Sequence, residues 1–258
     1  MFLQTSPEFA MKRLLAAGSG SIFQICKAFR NGEAGRFHNP EFSILEWYRI
    51  DYTLKQLMDE TAELIAELLG RSDDPAAIIS YADIFEQVTG LDPLVFNQKS
   101  YAEYAKKNAI EDAILVCKDD HSMWLDFIFS FKVQPVLESK FICMVYGYPA
   151  IQSSLARVNK QNPAIADRFE VFIKGIEIGN GFFELSNVNE QEKRFEKENQ
   201  FRQVKGLRVV DKDQKFLDAL RSGLPDCSGI ALGLDRLLMV IDDAELLNDV
   251  IAFPFDRA

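Results

Sequence analysis

Three stretches combine residue types that can do chemistry. Arg30, Arg36, His38 and Asn39 crowd a polar segment that also holds Phe37 and Phe42. A guanidinium grips a phosphate through two parallel hydrogen bonds, and an aromatic ring beside it can stack on a base. A solvated charged loop explains the same composition. The second stretch carries Glu170, Glu177 and Glu184. Glu170 and Glu177 flank a turn expected at Lys174-Gly175, so strands paired across it would bring both carboxylates to one point. Magnesium takes such oxygen donors and bridges phosphates with them. Asn180, Phe182 and Glu184 alternate onto one strand face, and Gly179 and Gly181 leave room for a close approach to the backbone. Surface acids on a hairpin account for the spacing equally well. The third is Gly229-Ile-Ala-Leu-Gly-Leu-Asp-Arg236, where small residues lead into a helix start bearing an arginine. Helix N-termini and arginine both favour phosphate, although an exposed arginine at a strand-to-helix turn reads the same way.

The elements that must position these groups follow from pattern. Ser6-Pro7-Glu8 reads as a helix start, with Ser at the N-cap, Pro at the first helical position and Glu in the first turn. That helix runs to about Gly18. Residues 22–29 and 41–50 read as two strands joined by the polar loop 30–40. Thr53 caps an amphipathic helix that ends at Gly70. Residues 71–140 read as mainly helical, with breaks near Asp73-Asp74-Pro75, Asp92-Pro93 and Pro135. Strand-like runs follow at 141–148 and twice within 168–185. Helices are expected at 191–205 and 212–221, then a short strand at 230–234 running into a helix from Asp235. Strands at both ends of the chain with helices between predict an α+β class, an antiparallel sheet with helical insertions.

The balance of charge narrows the partners. Asp and Glu outnumber Lys and Arg by 39 to 29, a net charge of −10. A protein that grips long nucleic acid usually shows a basic face, so this balance weighs against a large tRNA surface. No run of eighteen apolar residues suggests a membrane span, and the N-terminus lacks the pattern of a signal peptide. A cytoplasmic protein is the simplest expectation. Cys26, Cys117, Cys143 and Cys227 are far apart and read as free thiols of a reducing compartment.

Together and in this order, the three stretches resemble the catalytic domain of class II aminoacyl-tRNA synthetases. Phe29-Arg30 with His38-Asn39-Pro40-Glu41-Phe42 is similar to motif 2, and Gly233-Leu234-Asp235-Arg236 to motif 3. The segments TSPEFAMKRLL, RFHNPEFSILEWY and GIEIGNGFFEL resemble the lysyl-tRNA synthetase group. Within it, residues 29–48, 149–156 and 225–229 look most like the short paralogues. These lack an anticodon-binding domain and join (R)-β-lysine to elongation factor P. The likeness runs over nearly the whole chain, so residues 1–258 are expected to form one catalytic domain with a helical insertion at about 71–140.

The resemblance implies roles residue by residue. Arg30 would hold the α-phosphate and Phe42 would stack on adenine. Asn31, Gly32, His38 and Asn39 would complete the nucleotide loop, with Ile178 touching the nucleotide through its backbone. Gly233 would let the adenosine lie close, and Arg236 would meet the γ-phosphate. Glu170 and Glu177 would bind Mg2+. Ser6, Pro7 and Glu8 would line the amino-acid pocket, and Glu46, Tyr48 and Glu184 would surround the distal ammonium of a lysine-like substrate. Asn180, Phe182 and Ala231 would shape the same pocket. ATP is the implied cosubstrate, and Arg30, Arg236 and Glu177 are the implied catalytic groups. Elongation factor P is the implied acceptor; tRNA charging and a non-catalytic relic are the alternatives.

Two departures matter. Motif 2 normally reads Arg-any-Glu, whereas here Gly32 holds the third place and Glu33 follows. The family's motif 1, a helix and strand that build its homodimer interface, has no counterpart in these residues. An unpaired sheet edge and a doubtful dimer are therefore expected.

Overall fold

The computed structural model describes residues 3–71 and 75–258. Asp73 and Asp74 of the first expected helix break lie outside the described residues. The chain sorts into two compact units, residues 1–57 with 182–258 and residues 58–181. The strand order is β1-β2-β7-β6-β5-β4-β3, where β1 is Ile22–Phe29, β2 Glu41–Ile50, β3 Ala77–Ser80, β4 Ile142–Tyr146, β5 Arg168–Ile173, β6 Ile176–Phe183 and β7 Cys227–Gly233.

In the first unit β1 pairs antiparallel with β2, and β2 antiparallel with β7. β1 and β2 sit where the alternating apolar pattern put them. β7 begins three residues earlier than expected, because Cys227-Ser228-Gly229 looks too polar and small for a strand. Helices α1 (Glu8–Ala16), α8 (Val188–Val204) and α9 (Gln214–Gly223) cover one side. Met11 and Leu15 of α1 pack with Phe216 and Leu220 of α9, and with Tyr48 of β2 and Cys227 of β7. Phe9 stacks on Phe216 with ring centres 4.4 Å apart. The start of α1 differs by one residue from expectation. Pro7 takes the cap position, and Ser6 instead accepts the Glu8 N–H through its hydroxyl at 3.0 Å. Helix α10 (Leu234–Ile241) follows β7 directly, and Asp235 in its first turn accepts the Ser43 N–H of β2 at 2.6 Å.

The second unit holds β3, β4 and β5 with α3 (Tyr81–Thr89), α4 (Gln98–Lys107), α5 (Asp112–Cys117), α6 (His121–Ile128) and α7 (Gln134–Leu137). Helix α2 (Leu54–Leu68) crosses the boundary between the units in sequence. Tyr81, Phe85, Tyr101, Trp124 and Phe172 form the core of the second unit, each at most 1% exposed. β3 lies inside the stretch expected to be helical and pairs in parallel with β4, from Ala77 opposite Cys143 to Ser80 opposite Tyr146. The sheet is therefore mixed, not purely antiparallel. The expected break at Pro135 appears as a wide π-type turn, Phe129–Val133, between α6 and α7. Proline lacks the N–H that would bond to the preceding turn, and the widened turn absorbs the gap. Lys174 and Gly175 form the tight β5–β6 turn, both with positive φ.

Candidate active site

Strand alternation builds the first unit's site. Phe42, Ile44, Glu46 and Tyr48 occupy alternate positions of β2 and so share one face. The residues opposite Ile44, Glu46 and Tyr48 on β7 are Gly233, Ala231 and Gly229. The partners on β7 of this face therefore carry at most a methyl, which leaves the face of β2 uncovered from the side of β7. Phe42 lies at one end of the row and Tyr48 at the other.

At the Tyr48 end a buried polar cluster closes. Tyr48 donates to Glu46 Oε1, and Ser6 donates to Glu46 Oε2 at 2.9 Å. The Lys12 ammonium lies 2.6 Å from Glu8 Oε1 and 2.5 Å from Glu184 Oε2. Lys12, Glu46, Tyr48 and Glu184 are each no more than 2% exposed. Gly229 makes this density possible. A Cβ there would lie 2.3 Å from Tyr48 Cδ1 and 2.8 Å from Glu184 Oε1. Gly229 opens the stretch whose helix start and Arg236 suggest phosphate, but its own neighbours are these two side chains. The sequence assigns no role to Lys12, although its place four residues after Glu8 on one helix face is a usable signal.

Burial sets the electrostatics. It pushes the Glu46 carboxyl up to about 7, with the Glu8 charge adding to the rise and the Tyr48 and Ser6 hydroxyls opposing it. Burial also pushes Glu184 up to about 8 against the pull of Lys12. The same burial lowers Lys12, but the Glu184 and Glu8 charges outweigh it and leave its ammonium well above the ordinary range. Both carboxyls thus hold their protons to higher pH in the folded state than in the unfolded chain. Their contribution to stability is complete below about pH 4.5 and is lost as pH rises through about 7–8. Lys12 changes nothing in this window, because its own loss begins only above its unfolded value. The ligand-free protein is therefore expected to lose about 1–3 kcal/mol between pH 5.5 and pH 9. Urea unfolding at both values checks this, and equal midpoints with equal slopes would contradict it.

At the Phe42 end stands the loop between β1 and β2. The Arg30 guanidinium lies 5.0 Å from the centre of the Phe42 ring and is 44% exposed. Arg236 of α10 reaches into the loop, donating to Phe37 O at 2.9 Å and meeting His38 Nε2 at 2.8 Å. Burial and the Arg236 charge hold His38 below the usual imidazole range, so it meets Arg236 as a neutral acceptor. Asn39 is 6% exposed. Its amide donates to Glu41 O at 2.6 Å and its carbonyl accepts the Phe255 N–H at 2.9 Å. Both ends of that side chain serve to anchor the loop. Gly32 has φ +82° with open space around it. This left-handed turn sets Glu33 3.9 Å from Arg30, so Glu33 reaches the arginine from the place after the one expected. A cavity of about 1040 Å³ opens beside Arg30, Asn31 and Asn39. Leu3, Phe29, Val210 and Phe255 wall it together with Arg202, Arg208 and Asp211, whereas Phe42, Glu46, Glu184 and Arg236 do not line it. Phe182 is buried near the end of β6, at 9% exposure.

Glu170, Glu177, Ile178 and Asn180 belong to the second unit. There Glu170 accepts from Tyr148 at 2.5 Å and pairs with Arg168 at 2.5 Å. Arg168 also donates to Asn180 Oδ1 at 3.2 Å and to Gln152 O at 2.6 Å. Glu170 and Glu177 line one small cavity of about 160 Å³ together with Asp126 and Arg168. Burial pushes the Asp126 carboxyl up to about 6. Magnesium commonly takes one or two protein carboxylates and completes its shell with phosphates and water; of the three carboxylates here, Glu170 is engaged through both oxygens by Tyr148 and Arg168, so a cation would have to take Arg168's place on it. No cluster of three or more His, Cys, Asp or Glu capable of holding a metal occurs among the described residues. The room expected beside Gly181 is filled by Phe169, whose ring lies 2.3 Å from where a Cβ would stand.

No helix among the described residues is long and apolar enough to cross a membrane. The sequence pattern of the tRNA synthetases class II (D, K and N) matches residues 1–257. Among curated proteins, the elongation factor P–(R)-β-lysine ligase of Pectobacterium atrosepticum is 45% identical over 259 residues, covering 100% of this chain and 78% of that protein. The ligases of the same name from Salmonella dublin and Salmonella paratyphi B are each 45% identical over 258 residues, with the same coverage.

Proposed function

Because the chain belongs to the class II tRNA synthetases of the D, K and N group, we propose that it uses ATP to activate a lysine-type amino acid, lysine or (R)-β-lysine, and joins it to a lysine side chain of elongation factor P. The observation that carries this reading is the cluster of Ser6 and Glu8 with the buried Glu46, Tyr48 and Glu184, at one end of a strand face whose other end holds Phe42 and Arg30. A buried ammonium needs carboxylate partners, and this cluster supplies them. The names of the 45% identical relatives support the choice of substrate and acceptor.

The chemistry is positioning and charge neutralisation. The amino-acid carboxylate attacks the α-phosphorus of ATP in line; the bond to pyrophosphate breaks and an aminoacyl-adenylate forms. Arg30 meets the charge that builds on the α-phosphate, and Arg236 meets the γ-phosphate. Phe42 stacks on adenine, and Gly233 gives the adenosine room. Glu170 and Glu177 would hold magnesium, which supplies neutralisation of the phosphate oxygens. The acceptor amine then attacks the acyl carbon, and AMP leaves. The Ala231 methyl lies opposite Glu46 and narrows the pocket for an α-amino acid. A methyl discriminates by only about 1–3 kcal/mol, enough to favour a β-amino acid. A cytoplasmic location accords with this role.

Pyrophosphate exchange with L-lysine and (R)-β-lysine tests activation. Exchange is expected with both, with the β-amino acid giving the higher kcat/KM. Transfer assays with elongation factor P or tRNA follow, and label is expected on the protein. Exchange with neither amino acid defeats the reading, and label on tRNA alone moves it to tRNA charging.

A further inference from the structure

Lys12 takes no part in the proposed chemistry. It is a full-length lysine at 1% exposure, and lysine is almost never buried without partners. Its ammonium joins α1 to the residue that follows β6, through Glu8 at 2.6 Å and Glu184 at 2.5 Å. It also lies 5.8 Å from the centre of the Phe216 ring, so packing holds its stem. Resting on the reading above, we propose that Lys12 is a positioning residue, the pocket's built-in counter-cation, which makes the pocket complementary to an amino acid carrying two ammonium groups.

Glu8 and Lys12 face the cluster from α1, Glu46 and Tyr48 from β2, Glu184 from the end of β6, and Cys227 from β7. Burial keeps the Tyr48 hydroxyl and the Cys227 thiol neutral. Three carboxylates and one ammonium leave two negative charges when all are ionised. A diamino acid brings two ammoniums, and with its carboxylate turned to the α-phosphorus of ATP and away from the cluster these close the balance. An amino acid with one ammonium leaves one buried carboxylate uncompensated, which is costly where water is excluded. Without Lys12 the pocket would carry three negative charges and retain protons instead. The carboxyls would then titrate at higher pH, and Glu8 and Glu184 would lose the partner that fixes their orientation.

The test uses Lys12→Met, Lys12→Gln and Lys12→Arg in the full chain, with two readouts. Carbon-13 NMR of glutamate carboxyls in the ligand-free protein is expected to show the Glu184 midpoint rising by a unit or more in the Met and Gln variants. Calorimetric binding of L-lysine at pH 7.5 is expected to weaken at least tenfold in both, the gap narrowing toward pH 9, while Arg stays within threefold of wild type. Gln keeps hydrogen bonds without charge. A Gln variant that binds like wild type, or that is weakened by the same factor at every pH, overturns the proposal even if Met fails to fold. Wild-type protein that binds neither lysine nor (R)-β-lysine overturns the proposed function instead, and the substrate half of this inference with it, however the carboxyls titrate.

Discussion

Gly229→Ala is expected to weaken amino-acid binding by more than about 100-fold, a loss of roughly 2.8 kcal/mol. The added Cβ would stand 2.3 and 2.4 Å from two carbons of the Tyr48 ring and 2.8 Å from Glu184 Oε1. Neither neighbour can step aside. Tyr48 is 2% exposed and packs against Met11, Leu15 and Phe216, while Glu184 is held by Lys12. Overpacking of this kind costs about 1–3 kcal/mol of stability, so the variant should fold with a lowered urea midpoint. Binding suffers further because any shift of Tyr48 breaks its hydrogen bond to Glu46. Calorimetry with lysine, alongside urea unfolding, measures both effects. Wild-type affinity in a protein of wild-type stability would show that the two side chains do not form the substrate pocket.

Glu184→Leu is expected to lower stability by about 3–5 kcal/mol, because it takes from a buried ammonium the more buried of its two carboxylate partners. Lys12 would keep Glu8 alone, and Glu8 is 17% exposed on its side chain. For a chain of this size the melting temperature should fall by roughly 6–20 °C. The decisive comparison is the double variant Lys12→Met/Glu184→Leu. Replacing both charges with apolar groups of similar length removes the stranded ion, and such replacements are often neutral or stabilising. The double variant should therefore melt well above the Glu184→Leu single variant. A double variant less stable than the single one would mean that the pair acts through packing and not through charge.

What could be read from sequence was what is local. Phe42, Glu46 and Tyr48 alternate along one strand, and period-two alternation needs only the neighbours in sequence. The same holds for β1 and β2, which stand at 22–29 and 41–50 as their pattern required. β3 was hidden because its partner β4 lies more than sixty residues away and the pairing is parallel. No turn announces such a crossover. Cys227-Ser228-Gly229 falls outside the strand expected at 230–234 because strand propensity fails where a strand must be thin to admit Tyr48. Lys12 gives only the weak signal of standing four residues after Glu8, because its second partner, Glu184, is brought close only by the fold. Asn39 was read as a ligand group, yet a buried amide with both ends bonded to backbone serves equally to anchor a loop.

The row along β2 also has a consequence for how this sequence can change over time. Phe42 and Glu46 are four residues apart on an extended strand, about 13 Å at the usual rise per residue. That spacing is a fixed gauge between an aromatic platform and an acidic terminus, and β7 sets Gly233, Ala231 and Gly229 opposite its Ile44, Glu46 and Tyr48. Insertion or deletion of one residue inside β2 would turn every later side chain to the opposite face. The turn at residues 31–35 bears no such demand, since Gly32 and Gly35 have open space around them. Length variation among descendants of this gene should therefore collect in that turn and be purged from the strand that follows it.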